Sequence, residues 1–303
     1  MIKEAVWRIS FIIASIDRDQ ELQKCISSIE KAHEHQQDIP IEILVVIQKT
    51  KQKKNIGLNY PAITRFYYID KVGLSAARNF AIAKSTGDYL VFIDDDAFVK
   101  EDFIAVLLKN TMTHNKVGAF CGRLIDPIRN VPFSRLFCNT NVKSLTRIDF
   151  QNFMGSAHVL SRKVIEKIGY YDEDFGVGAK YFGSEESDIF FRLIMAKEQV
   201  LYLPDLVFFH PIPTTPSDYV YKYAYAVGAV LAKSCNNDKA NFITYSYLVL
   251  QIMTRALIRV VQKILFKGRY IEMNKKYHYD LVIKGTFDGM RDYKKNEHGF
   301  VRA

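Results

Sequence analysis

Within its first hundred residues the chain repeats one pattern. A short β-rich apolar run is followed by a segment of helical period, and the fourth run ends directly in three aspartates. The runs are 9–14 (ISFIIA), 41–47 (IEILVVI), 63–69 (ITRFYYI) and 89–93 (YLVFI). Between them, 20–32 carries Leu22, Cys25, Ile26 and Ile29 at helical spacing, and 75–84 carries Ala76, Ala77, Phe80 and Ala81. Near-continuous apolar strands alternating with helices predict an α/β, Rossmann-like, doubly wound sheet, because both faces of such strands must be covered. Ligands of these sheets bind outside the carboxyl ends of the strands. The polar residues there are Ser15 and Asp17, Gln48, and Asp94 to Asp96. At 49% hydrophobic and 13% aromatic residues, the chain has ample core material and does not read as disordered or low-complexity.

Beyond residue 110 the pattern is more mixed. Strands are predicted at 117–124 and 157–160, a helix at 185–196, and two short strands at 200–203 and 206–210, split by Pro204 and Asp205. Helices follow over 219–232 and 242–266. This suggests a catalytic unit over 1–217, with a nucleotide-binding half to about 110 and an acceptor half over 111–217, and a helical C-terminal region over 218–303.

The net charge of +9 is unevenly placed. Residues 1–221 hold 27 basic and 27 acidic residues, whereas 222–303 hold 15 basic and 6 acidic. The four cysteines form no C-x-x-C pair, which favours reduced thiols over a disulfide or zinc framework. The N-terminal apolar run is broken by Asp17, Arg18 and Asp19, unlike a signal peptide. The longest stretch without a formal charge, 240–254, is too short and too polar to span a bilayer. A cytoplasmic protein is expected.

Three constellations carry candidate chemistry. In extended backbone Asp94 and Asp96 share a face and Asp95 opposes them. Adjacent carboxylates at a strand end repel unless a cation is shared, and oxygen ligands favour Mg²⁺ or Mn²⁺; the alternative is a solvated acidic turn. In Gly183-Ser184-Glu185-Glu186-Ser187-Asp188, Ser184 is placed to cap a helix whose positive end suits Glu185 and Glu186, while Asp188 and Arg192 are spaced to pair. A capped structural helix explains the same residues. His210 ends a strand and is either structural or, beside an acidic site, a metal ligand.

Four stretches in order, SFIIASIDRDQELQKCISSI, GLSAARNFAIAKSTGDYLVFIDDD, FMGSAHVLSRKVIEKIGYYDEDFG and SEESDIFFRL, resemble family 2 glycosyltransferases of the GT-A fold over roughly residues 7–212. The resemblance implies a mixed GT-A sheet and an inverting, nucleotide-sugar-dependent transferase. Asp94 would contact the nucleotide ribose or the diphosphate, with Asp95 beside it, and Asp96 would ligate Mn²⁺ or Mg²⁺ with His210 near the ion. Ser15, Asp17 and Arg18 match the nucleotide-binding turn, and Arg78 and Asn79 the segment beside the diphosphate and donor sugar. Glu186 falls at the catalytic-base position, usually Asp, with Glu185 adjacent to it. Where many members carry Asp to grip the base, this chain has Gln48, which can both donate and accept hydrogen bonds.

The expected donor is a UDP-sugar. The expected acceptor is a glycan or lipid-linked saccharide hydroxyl, as in bacterial surface or capsular polysaccharide synthesis. A noncatalytic nucleotide-sugar-binding protein is the alternative; a nucleic-acid-binding protein ranks lower, since the positive charge is confined to the tail and no nucleic-acid motif appears. Over 242–266, Tyr245, Leu248, Val249, Ile252, Met253, Leu257, Ile264 and Leu265 oppose a polar stripe of Thr244, Gln251, Arg255, Arg259, Gln262 and Lys263. That pattern predicts peripheral attachment of 242–303 to the anionic inner face of the cell membrane, or else packing on protein, including a homodimer.

Overall fold

The computed structural model describes residues 7–16, 18–48, 60–134, 136–212, 217–265 and 278–295. Asp17 lies outside the described residues. Four parallel strands, β1 (Ile9–Ser15), β2 (Ile41–Gln48), β3 (Thr64–Ile69) and β4 (Tyr89–Asp94), form one half of a ten-stranded sheet. The main path runs β3-β2-β1-β4-β9-β6-β10-β5. In it, β9 (His158–Ser161) is antiparallel to both β4 and β6 (Ala119–Asp126). On the far side, β10 (Val200–Phe209) is parallel to β6, and β5 (Phe98–Val99) is antiparallel to β10. The short β7 (Val131–Pro132) and β8 (Lys143–Ser144) pair with β6 and β10. The sheet is therefore mixed and mostly parallel.

The helices cover it as their apolar spacing dictates. In α1 (Asp19–Glu34), Leu22, Cys25, Ile26, Ile29 and Ala32 are buried. In α2 (Leu74–Lys84), Ala76, Ala77 and Ala81 let the helix approach the strands closely. Every residue of β2 is buried, including Glu42. Glu42 accepts hydrogen bonds from the Ser10 hydroxyl at 2.7 Å and from the Thr86 amide at 2.6 Å, which offsets its desolvation. Further along lie α3 (Phe103–Thr113), α4 (Arg162–Ile168) and α5 (Glu185–Met195).

Two local expectations are corrected. The strands expected at 200–203 and 206–210 are one strand, β10, whose register against β6 shifts between Leu203 and Val207. Pro204 cannot donate to the ladder, and the irregularity absorbs it without ending the strand. Gly122 makes room for the kinked backbone, since a Cβ there would fall 2.5 Å from the Leu206 carbonyl oxygen. Ser184 does not cap α5 through its side chain. It takes a left-handed conformation, φ 61°, directly after Gly183 at φ 117°, outside the extended conformation an N-cap side chain needs.

After β10 come α6 (Ser217–Asn237), α7 (Phe242–Leu265) and α8 (Tyr279–Lys295). The last has no counterpart among the predicted helices. It lies against α6 with backbones nearly touching: a Cβ at Gly228 would sit 2.0 Å from the Thr286 carbonyl oxygen, and one at Gly289 would sit 1.9 Å from that of Tyr225. On its other flank α6 is tied to the catalytic half. The buried Lys233 ammonium bonds Asp172 and Asp188, each at 2.6 Å.

Candidate active site

The strand order reverses direction of growth at β1, so the carboxyl ends of β1 and β4 open onto one crevice. In the register of the two strands Ala14 faces Asp94. That brings the Ser15 hydroxyl 2.5 Å from Asp95, to which it donates. Asp95 is buried, and burial pushes its carboxyl up to about 6 despite Ser15 and Arg18, with Asp96 and Asp94 adding repulsion. The strand ends at Asp94, so the alternation expected of the triplet gives way to a turn at Asp95 and Asp96; Asp94 and Asp96 stay partly exposed and turn toward His210.

His210 follows β10 and brings its Nε2 to 3.1 Å from Asp96 and 3.8 Å from Asp94. Its Nδ1 lies 2.7 Å from the Pro211 carbonyl, a contact that needs the proton on Nδ1, so Nε2 donates to Asp96 when the ring is protonated and turns a lone pair to a cation when it is not. One ligand atom from each of Asp94, Asp96 and His210 lies within 4.8 Å of the others. Two carboxylates and an imidazole converging in this way fit a small divalent cation, and the mixed donor set suits Mn²⁺. Arg18, half exposed, reaches in from the loop after β1 and bonds Asp96 at 2.5 Å. Burial works against ionisation of Asp96, but His210 and Arg18 outweigh it and hold that carboxyl below the usual range.

Arg78 is 1% exposed, and each of its contacts is internal. It donates to Glu185 and Asp94 at 3.0 Å each and to the Gly155 carbonyl at 2.9 Å, with its guanidinium over the Tyr171 ring. The site's acidic strand end and the start of α5 are thereby held by one buried cation. Gly155 fits because a Cβ there would meet Glu185 at 3.1 Å. Glu186 follows at the start of α5 and accepts a 3.2 Å bond from Ser187. Burial first, and then the charge of Glu185, raise its carboxyl well above the ordinary range. Deeper in α5, Asp188 binds Arg192 and Lys233 and anchors the helix.

Two other predicted residues brace the site. The Gln48 side-chain oxygen accepts from the Gly73 amide at 2.8 Å and so fixes the start of α2, which carries Arg78. Asn79 exchanges hydrogen bonds with the Tyr171 backbone at 2.9 Å in both directions and bonds Glu173. The crevice, about 260 Å³, is lined by Arg18, Gln48, Asp94, Asp95, Asp96 and His210, and also by Leu74, Val177 and Tyr223. Those last three carry no signal of function in the sequence. Tyr223 in particular comes from α6, in the part read as a C-terminal appendage. A larger cavity of about 730 Å³, lined by Lys24, Lys31, Phe98 and Phe209 among others, contains no metal-ligating cluster among the described residues.

The sequence model of glycosyl transferase family 2 matches residues 10–169, more than half of the chain. The chain belongs to glycosyl transferase family 2. It is a glycosyltransferase of the GT-A fold, and its relatives bear this out. An uncharacterized protein of Haemophilus influenzae is 26% identical over 174 residues, 53% of this chain and 91% of that protein. The glycosyltransferase GlyA of Streptococcus pneumoniae is 30% identical over 112 residues, 35% of this chain but 15% of GlyA. Among solved structures, the mannosyltransferase PcManGT of Pyrobaculum calidifontis, in complex with GDP-Man and Mn²⁺, aligns with a TM-score of 0.68 at 16% identity, over 96% of this chain and 88% of that one. Residues 1–349 of Staphylococcus aureus TarS, in complex with UDP, align at 0.53 and 14% identity, covering 97% and 93%. At such identities the structural likeness speaks to the fold.

Proposed function

We propose that this glycosyltransferase inverts the anomeric centre as it moves a sugar from a nucleotide diphosphate donor, with UDP the first candidate, to a saccharide hydroxyl. The observation that carries this reading is the convergence of Asp94, Asp96 and His210 within 4.8 Å, in a crevice whose wall is tied through Arg78 to the start of α5. A divalent cation held there supplies neutralisation of the charge that grows on the leaving diphosphate. Arg78 keeps Asp94 oriented, and Arg18 is the exposed cation beside Asp96 able to meet the diphosphate. Glu186 is the general base. Glu185 is committed to Arg78, whereas burial and the Glu185 charge hold the Glu186 carboxyl above the ordinary range, which raises its affinity for a proton. A single displacement, with the acceptor proton passing to Glu186, needs no covalent glycosyl-enzyme.

Calorimetry with Mn²⁺ and either UDP or GDP tests the donor reading. Asp96→Ala should abolish the Mn²⁺-dependent gain in nucleotide affinity, and an unchanged gain would refute the metal assignment. Glu186→Gln should bind nucleotide as wild type does yet lose transfer, since only the proton acceptor is removed. Transfer surviving in Glu186→Gln and lost in Glu185→Gln would move the base by one residue.

The reading extends to where the enzyme works. On α7, Ile243, Tyr247, Leu250 and Ile258 recur on one side and are exposed, with Phe242 beside them. Thr244, expected on the polar stripe, is instead buried beside Leu248, and the exposed side of the helix mixes these apolar side chains with Ser246 and Thr254. The side chains of Arg255, Arg259, Gln262 and Lys263 lie outside the described residues. Exposed apolar side chains in a segment carrying all the excess positive charge support peripheral attachment to the anionic inner face of the cell membrane, where a lipid-linked acceptor for surface polysaccharide would be met. Among the described residues no helix is long and apolar enough to cross a membrane.

A further inference from the structure

The crevice does not end at its acidic wall. Tyr223, on the second turn of α6, lines it together with Asp94, Asp96 and His210. Its ring rests on the backbone just before α5: a Cβ at Gly183 would lie 3.1 Å from Tyr223 Cδ1. Phe182 meets Tyr223 edge-on at 5.4 Å and Tyr219 edge-on at 5.3 Å, and the two tyrosines lie 6.5 Å apart, one helical turn from each other. Lys222 sits 5.0 Å over Tyr219 and 5.4 Å over Phe182, which ties these rings to α6. Tyr219 and Tyr223 nevertheless remain 38% and 43% exposed. Neither hydroxyl has a hydrogen-bond partner among the described residues.

We propose that Phe182, Tyr219 and Tyr223 form a stacking shelf that receives a pyranose ring of the acceptor and sets its hydroxyl before Glu186. The proposal rests on the glycosyltransfer reading of the crevice and names the acceptor side of it. A pyranose presents C–H groups on one face and hydroxyls around its edge. Amphipathic aromatic surface with free phenolic hydroxyls matches both at little conformational cost. An aliphatic chain would leave those hydroxyls unused. Nearness to the catalytic pair is felt by Tyr223 itself. Burial, followed by the charges of Glu185, Asp94 and Glu186, raises its phenol above the usual range. The shelf and the base are thus joined through Gly183, one residue before the turn into α5.

Saturation-transfer NMR on the full chain tests the shelf. The probes are methyl β-D-glucopyranoside, methyl β-D-galactopyranoside and methyl α-D-mannopyranoside, each with Mn²⁺ and UDP present. Ring C–H protons of at least one glycoside should receive saturation from wild type. The signal should fall about five-fold or more in the Tyr219→Ala, Tyr223→Ala double variant, as loss of a stacking contact worth about 1 kcal/mol implies. Tyr223→Phe retains the ring and loses only one hydroxyl, so its signal should fall less than that of the double variant, which separates a stacking role from a merely folded helix. Equal transfer in the double variant, or none to any glycoside from wild type, would overturn the proposal. UDP binding on the same samples reads the donor side separately: a wild type that saturates a glycoside but binds no nucleotide keeps the shelf and loses the glycosyltransfer reading.

Discussion

Arg78 is the residue on which the site is strung, and its burial makes its removal costly. It neutralises Glu185, which is 4% exposed, and steadies Asp94. Arg78→Met would leave the Glu185 charge buried without a partner, which costs about 3–5 kcal/mol. Urea unfolding should show that loss, and Arg78→Met combined with Glu185→Gln should recover a good part of it. If the double variant is no more stable than the single, the pair is not what Arg78 stabilises. His158, in β9, is a second buried group, and it marks a pH effect. Burial, then the nearby Arg78 charge, lowers its ring to about 3, so the native protein keeps it neutral while the unfolded chain protonates it near 6.5. Its contribution is whole above 6.5 and is lost as pH falls toward 3, at about 1.4 kcal/mol per unit. Between pH 6 and 5, wild type should lose that much more stability than His158→Gln. Parallel curves would mean that His158 is protonated in the native state. The aspartate triplet was legible as carboxylates at a strand end, whereas Arg78's grip on Glu185 joins positions 107 residues apart and leaves no local trace.

At the scale of elements, spacing foresaw most of what the sheet required. The first four strands and the first two helices stand within a residue or two of their apolar runs, because a strand covered on both faces and a helix covered on one each have a period that writes itself into the chain. The failures have physical causes. Pro204 reads as a stop, yet a shift in register lets β10 pass it. Ser184 reads as a cap, yet Gly183 turns the backbone so that it cannot be one. The third C-terminal helix, α8, is amphipathic in sequence yet absent from the predicted helices, and its contact with α6 depends on glycines. Gly289→Ala should force α6 and α8 apart and destabilise the protein by about 1–3 kcal/mol, as overpacking generally does. Hydrogen exchange should then speed up in Tyr279–Lys295 ahead of the sheet. Exchange unchanged from wild type would mean that the backbones do not touch there.

For the whole molecule, the division of charge and the exposed face of α7 lead to a binding experiment. Full-length protein should float with phosphatidylglycerol vesicles and not with neutral ones, and added salt should weaken the binding. Leu250→Glu with Ile258→Glu should abolish flotation without altering the fold, since both side chains already face outward. Flotation on neutral vesicles, or a wild-type dimer dispersed by the same pair of substitutions, would refute the electrostatic anchor. Sequence by itself determined the doubly wound sheet, the acidic strand end and the charge of the tail, because each depends on periodicity or composition over adjacent residues. Only the tertiary structure decided that Glu185 belongs to Arg78 and that α6 lends Tyr223 to the crevice. It also decided that Ile243, Tyr247, Leu250 and Ile258 of α7 stand exposed. Each of these depends on which distant segments share a neighbourhood, and packing fixes that with no signature in local spacing.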